Sequence, residues 1–267
     1  MSETIKDILK NNYVDGVFHT HVSLIKPMGK FQFNRQVLEE FWSLYCDLIN
    51  EEKKPNIGIA EKYQQYIPVL VDIDLKIKND ENFLEDSLYT YEDVKIIISI
   101  YQSILREIVL DCTDTELTCI FLEKNIYQQD KNDISYLKHG FHLHFPYIFL
   151  NKTDQEIQLI PRVKQLLEDS KVFSNLPLEN SKFFDDAYCN LPWLLYGSKK
   201  SETSEPYKVT KVYDSELNEI SLEKALKYYE IFDNKEQLIP IKGNVKYFLP
   251  RILSVIPYGR KVKELKH

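Results

Sequence analysis

Apolar residues recur along this chain with two different periods, and the period separates helices from strands. Thr4–Asn11 reads as a short amphipathic helix, and Asn34–Ile49 as a longer one. In the second, Val37, Leu38, Phe41, Trp42, Leu44, Tyr45, Leu48 and Ile49 form a broad apolar stripe. Asn34 is suited to cap it, because its side-chain oxygen can accept from a free amide of the first turn. Ile67–Ile77 is a short β-branched run that predicts a buried strand. Thr90–Leu110 predicts a helix, with Thr90 as cap, Asp93 three residues on, and Val94, Ile97, Ile98, Tyr101, Ile104, Leu105 and Ile108 on one face. Strands are expected at Glu116–Leu122 and Gly140–Leu150, separated by an acidic and polar loop at Gln128–Asp133. Thr153 and Glu156 read as a capping box opening a helix to about Leu167. Strands at Trp193–Ser198 and Tyr207–Tyr213 follow, then a helix over Ser221–Phe232 and a tail from Phe248 with a basic run at Gly259–His267. Interspersed strands and helices predict an α/β (α+β) fold.

The 267 residues are 43% hydrophobic, enough for one large domain or two small ones, with no internal repeat or clear linker. No apolar run approaches the roughly 20 residues of a membrane span, and MSETIKDILKNN has no signal-peptide core. An intracellular protein with no membrane partner is expected. The net charge of −7 argues against a protein that coats DNA with basic surface. It leaves room for a local basic groove, since a metal site must itself be acidic. Cys46, Cys112, Cys119 and Cys189 form no C-x-x-C pair and read as reduced core thiols. The alternative is a structural zinc on Cys112, Cys119 and two histidines.

Three clusters carry chemistry. In PVLVDIDLKI, alternation puts Asp72 and Asp74 on one face while Val71 and Ile73 enter the core. Two carboxylates this close repel unless a cation sits between them, and Mg²⁺ or Mn²⁺ prefers such oxygen ligands. A strand end with two solvated acids is the plainer alternative. In KHGFHLHFP, Lys138, Gly140, His142 and His144 share a face; a Lys and a His beside a Gly suit a triphosphate. In FDDAYCNLPWLLYGSKK, an acid and a Ser-Lys-Lys bracket an aromatic and aliphatic stretch. A third carboxylate from there would complete a two-ion site.

Taken in order, VLVDIDLK, KHGFHLHFP and DDAYCNLPWLLYGSKK resemble the three motifs of the archaeo-eukaryotic primase superfamily. They are most similar to the N-terminal primase domains of primase-helicases from nucleocytoplasmic large DNA viruses. The resemblance spans about Tyr66 to Tyr213. It implies an RRM-like antiparallel sheet joined to a second small α/β unit, with the site in the cleft between them. One catalytic domain is then expected over 1–267: a helical part at 1–54, a core at 55–215, and a helical or irregular part at 216–267. By resemblance Asp72, Asp74 and Asp185 hold two divalent ions, Mg²⁺ or Mn²⁺, with Asp186 as the fallback. His142 contacts the phosphates of an incoming NTP or dNTP, joined by Lys138, Ser198 and Lys200, with Lys199 beside them. The implied function is DNA-dependent synthesis of short primers on single-stranded DNA, in a cytoplasmic or viral replication compartment. The expected partner is a helicase domain or subunit, since this chain has no G-x-x-x-x-G-K-[ST] pattern. Leu194 stands where many members carry an Arg. Lys30, Arg35 and the Arg260–Lys266 tail are candidate template contacts.

Two other readings use the same residues. His142-Leu143-His144 matches the His-hydrophobic-His metal signature of rolling-circle nickases, with Tyr228 or Tyr229 as nucleophile. A non-catalytic nucleic-acid-binding replication module is the other, although three clustered acids serve poorly against a polyanion.

Overall fold

The computed structural model describes residues 4–51, 55–79, 87–178, 183–186 and 188–266. The chain begins with α1 (Ile5–Asn11), whose cap is reciprocal: the Thr4 hydroxyl accepts from the Asp7 amide while the Asp7 carboxylate accepts from Thr4. Strands β1 (Tyr13–Val14), β2 (His21–Ser23) and β3 (Gly29–Phe31) precede α2 (Arg35–Glu51), where the Asn34 side chain accepts from the Val37 amide. Then come β4 (Ile59–Glu61), β5 (Tyr66–Lys78) and α3 (Tyr91–Ile108), the last capped by Thr90 and Asp93 as its sequence predicts. The antiparallel strands β6 (Cys119–Glu123), β7 (Tyr127–Lys131) and β8 (Ile134–Asn151) lead into α4 (Lys152–Asp154), a π-helical turn and α5 (Ile160–Ser170). The remainder holds β9 (Trp193–Leu194), β10 (Lys208–Tyr213), α6 (Leu222–Ala225), β11 (Ile231–Phe232), β12 (Leu238–Ile239) and α7 (Leu249–Ile252).

Two antiparallel sheets organise the molecule, giving the mixed α+β fold that the strand and helix pattern predicts. The smaller has the order β1-β3-β2-β4-β9; the larger runs β10-β6-β8-β5, with β7 paired to the far end of β8. On one face of the large sheet, Val71, Ile73, Leu75 and Ile77 of β5 and Phe141, Leu143 and Phe145 of β8 pack against α3 and α5. The small sheet packs Phe31 and Ile59 against Phe41, Trp42 and Tyr45 of α2. A third cluster covers part of the large sheet's opposite face, where Ile120, Leu122 and Val212 meet Leu226, Tyr229, Leu249 and Ile252. That cover stops short of Asp72 and Asp74, so the carboxylate end of the face stays open to solvent. Cys46 and Cys119 are buried free thiols, Cys189 is buried and Cys112 is half-buried; among the described residues no His, Cys, Asp and Glu cluster suits a structural zinc.

Several local expectations are corrected. Gln128–Asp133 is not a loop: β7 folds back onto β8 through Asn132 and Asp133, whose φ values of 52° and 60° suit a two-residue hairpin turn. The helix after β8 is capped by Asn151, which accepts from the Thr153 amide, and not by a Thr153–Glu156 box. The strand at Trp193 ends at Leu194, because the chain turns at Gly197 with φ 87°. The helix over Ser221–Phe232 stops after Ala225, and its last residues form β11 instead. The basic tail is structural. Buried Arg260 donates to the carbonyls of Ile252, Ser254 and Pro257, and Lys263 pairs with Glu116. Among the described residues, no helix is long and apolar enough to cross a membrane.

His144 is sealed beneath this cover. Burial pushes its imidazole down to about 3, and the charges of Arg260 and His142 push the same way. Its Nε2 has no protein partner. An unfolded histidine titrates near 6.5, so between about pH 6.5 and 3 the unfolded chain binds the extra proton and the folded state loses stability. In urea titrations, His144→Leu should therefore gain on the wild type as pH falls from 6.5 to 4.5. The limiting slope is about 1.4 kcal/mol per pH unit; a constant difference across that range would refute the assignment.

Candidate active site

The long pairing of β5 with β8 sets the geometry. Asp72 lies opposite His142, Asp74 opposite Gly140 and Lys76 opposite Lys138. Directly paired residues of antiparallel strands share a face, so both aspartates stand with His142 and Lys138 on the open side of the sheet. His142 Nε2 is 3.4 Å from an Asp72 carboxylate oxygen, and Lys138 Nζ donates to Asp74 at 3.2 Å. Burial pushes the Asp72 carboxyl up, but the charge and hydrogen bond of His142, with Lys124 and Lys200, outweigh it and hold the group below the ordinary range. Burial pulls Lys138 down, and Asp74 and Tyr127 more than reverse that.

The third acidic segment adds itself to the free edge of β5. The Asp74 amide donates to the Phe183 carbonyl, the Asp185 amide donates to the Asp72 carbonyl, and Ile73 bridges Phe184. This antiparallel register sets Asp185 opposite Asp72 on the open face, while Phe184 enters the core. Asp186 takes the other side and pairs with Lys164 of α5 at 2.5 Å. The geometry thus separates the two adjacent acids, of which the motif resemblance takes Asp185 first and Asp186 as the fallback.

Gly140 is required by close approach. A Cβ there would lie 2.4 Å from the Ile73 carbonyl and 3.1 Å from an Asp74 oxygen. Ser198 is buried, and its hydroxyl oxygen accepts from the Ile59 amide at 2.9 Å and contacts the Tyr45 hydroxyl at 2.8 Å. It therefore ties the Gly197 turn to β4 and α2. Lys199 is held by its own amide, which donates to Ile57, and its Nζ reaches the Glu202 carbonyl. Lys200 is exposed, and its charge reaches both Asp72 and Lys124.

Three residues of the site carry no signal in the local sequence pattern. Lys124 lies two positions beyond Leu122, which pairs with His142, and so projects onto the same face. Burial lowers its pKa; Lys138 and Lys200 act with burial, while Asp74 and Asp72 only partly oppose it. Tyr207 stacks on the His142 ring at 3.7 Å between centroids, with Lys124 Nζ 4.6 Å from the Tyr207 ring centre. Trp193 of β9 reaches the His142 ring at 4.5 Å. The imidazole is thereby clamped between the two sheets. Only tertiary packing brings these residues to His142; the sequence pattern marks Tyr207 simply as the start of a strand.

Among the described residues, no three His, Cys, Asp or Glu side chains form a preformed metal cage. Asp72 and Asp74 instead offer hard oxygen donors on one open face, Asp74 turned toward the Lys138 ammonium and Asp72 toward the His142 imidazole. That donor set fits Mg²⁺ or Mn²⁺, which are commonly held by one or two carboxylates together with substrate phosphates.

Two antiparallel sheets meeting over paired strand aspartates, with a His and a Lys on the neighbouring strand, define an archaeo-eukaryotic primase (AEP) type of domain. The chain belongs to the family of the C962R protein N-terminal AEP domain, whose model matches residues 20–213. It is 34% identical, over 93% of its length, to a protein of Invertebrate iridescent virus 3 named "Putative helicase 121R". It is 32% identical over 96% to "Putative helicase 184R" of Invertebrate iridescent virus 6, and 27% identical over 75% to "Putative helicase L207/L206" of Acanthamoeba polyphaga mimivirus. The chain spans 27% of each iridescent-virus relative and 20% of the mimivirus one.

Gly140→Ala should cost about 1–3 kcal/mol, as overpacking does, because strand backbone must move to admit the methyl group. Ser198→Ala should cost a similar ~1–3 kcal/mol by leaving the buried Ile59 amide unpaired. Chemical denaturation of each variant beside the wild type checks both, and a loss under 0.5 kcal/mol (about the scatter of neutral surface changes) would contradict the packing described.

Proposed function

We propose that this domain is a DNA-dependent primase-polymerase, a nucleotidyltransferase that makes short primers on single-stranded DNA during viral or mobile-element replication. The observation that carries this reading is the cross-strand register placing Asp72 and Asp185, His142 and Lys138 around one open face. Family membership supports it. The relatives named as helicases support a helicase segment or subunit as its partner.

In this reading Asp72, Asp74 and Asp185 hold two divalent ions, Mg²⁺ or Mn²⁺. When bound there, such ions supply Lewis-acid stabilisation of charge on the reacting oxygens. A primer 3′-hydroxyl attacks the α-phosphorus of the incoming NTP or dNTP in line, giving its proton to water as the α–β bond breaks and pyrophosphate leaves. Lys138 and His142 face the two aspartates and serve as donors to the phosphate oxygens, with Lys200 as a further point charge. Lys124 supplies a cation on the His142 face, where Leu194 offers none. Ser198 acts by positioning, since its hydroxyl oxygen already serves Ile59 and Tyr45. Clamping of His142 by Tyr207 and Trp193 holds its donor atom in place before substrate arrives.

The nickase alternative is disfavoured by the same geometry. His144 is buried with its imidazole far below its usual pKa, and the Tyr229 hydroxyl is buried against Pro146 and Arg260. Tyr228 is exposed, but lies beyond α6 in a segment packed at the β6 and β10 end of the large sheet.

The deciding assay supplies the chain with unprimed single-stranded DNA, labelled NTPs or dNTPs, and Mg²⁺ or Mn²⁺. Short products that require the metal are expected, falling at least about 100-fold in Asp72→Ala and in His142→Ala. Asp186→Ala should retain them, because that acid faces α5. A denaturation-resistant protein–DNA adduct, or full activity in Asp72→Ala, would overturn the reading.

A further inference from the structure

The β7–β8 hairpin and the end of β5 extend the large sheet beyond the carboxylates as a three-stranded ribbon. Lys76 pairs with Lys138 and Lys78 with Tyr136 across β5 and β8; Tyr127 pairs with Lys138, Gln129 with Tyr136, and Lys131 with Ile134 across β7 and β8. All these residues therefore share the face of Asp72 and Asp74. Two contacts confirm it: Lys76 Nζ lies 3.6 Å from the Tyr136 ring centre, and Tyr127 hydrogen-bonds Lys138. Beyond Asp74, this face carries Lys76, Lys78, Lys131 and Lys138, and among its described residues no acid. Asp130 falls on the opposite face, where Gln128 donates to it, and Asp133 sits in the turn. Every residue of β7 is exposed.

A uniformly basic strip on a chain of net charge −7 calls for a polyanion. Its length decides which kind. From Asp74 to Lys78 is four strand residues, about 13 Å, and phosphates advance about 3.4 Å per nucleotide along one strand of a duplex. Measured along a duplex axis, the strip thus spans about four nucleotides of one strand, longer than one triphosphate, and it begins where the reacting phosphorus would sit. The exposed Tyr127 ring adds a face on which a base can stack.

The geometry points to this ribbon as the track for a nucleic-acid strand entering or leaving the carboxylate site, gripped through its phosphates. The inference rests on the primase-polymerase reading for the strand's role, but not for its binding. It also relocates the contacts expected from the sequence: Arg35 pairs with Glu236, and Arg260 and Lys263 are buried.

The test is fluorescence anisotropy of a labelled 20-mer of deoxythymidine in EDTA, titrated across 50–200 mM salt (about the range in which phosphate contacts are read). The variants are the triple Lys76→Gln/Lys78→Gln/Lys131→Gln, its Arg counterpart, and Lys30→Gln/Arg35→Gln. The triple Gln variant should bind about tenfold or more weakly, with a log Kd against log salt slope smaller by about 2, at ~0.7 per lost contact. The triple Arg variant should keep the wild-type slope, which a merely misfolded ribbon would not. An unchanged slope in the triple Gln variant, loss of slope in Lys30→Gln/Arg35→Gln, or no oligonucleotide binding by the wild type would each overturn the inference. Binding through the ribbon without any primer synthesis would uphold the track and defeat the primase-polymerase reading alone.

Discussion

One strand pairing carries the rest of the structure: the register of β5 on β8. A slip of a single residue would turn Asp72, Asp74, His142 and Lys138 into the hydrophobic layer and expose Val71, Ile73, Phe141 and Leu143. The apolar alternation makes such a slip prohibitive, because the inward residues of both strands are fully buried against α3 and α5. Gly140 reinforces the register, since only a residue without a side chain tolerates the approach of the Ile73 carbonyl opposite. The core thus positions the site without touching it.

That pairing also resolves the electrostatic cost of gathering acids. Asp74 is matched by Lys138 and Asp72 by the His142 imidazole of the adjacent strand, and Lys124 and Lys200 stand behind them. The resulting surface has alternating charge at short range and becomes basic along the ribbon, so an acidic protein presents a polyanion with a favourable path. The small sheet contributes differently. It holds Trp193 against His142 and, through Ser198 and Tyr45, fixes the turn that leads to Lys200. Buried Glu61 at the end of β4 accepts from the Ser254 hydroxyl and the Val255 amide, which ties this sheet to the C-terminal segment covering the large one.

Helices α1, α2 and α3, strand β5 and the carboxylate pair were legible in the sequence because each is specified locally. A 3.6 or 2.0 period reports burial directly, and Thr4 and Thr90 meet their cap partners three residues away. The ends of the Trp193 strand and the Ser221 helix were not legible, because Gly197 and the packing of Ile231 against β12 decide them. The composition of the β7 hairpin predicts an acidic, polar loop. Its residues are all exposed, so no apolar alternation marks it; only pairing with β8 makes it a strand.

The same division holds at the site. The sequence by itself determined that Asp72 and Asp74 share a face, that Lys138, Gly140, His142 and His144 share another, and that the chain is a mixed α+β domain, since all of these follow from strand periodicity. The motif resemblance already joins Asp185 to Asp72 and Asp74, with Asp186 as the fallback; tertiary structure decided that the two faces coincide, that Asp185 lies opposite Asp72 while Asp186 turns to Lys164, and that His144 is sealed away. It also brought Lys124, Tyr207 and Trp193 to His142. The physical reason is that periodicity tells a residue only inside from outside. Which outward residues meet depends on strand register and on how two sheets close, and those are settled by packing among residues far apart in the chain.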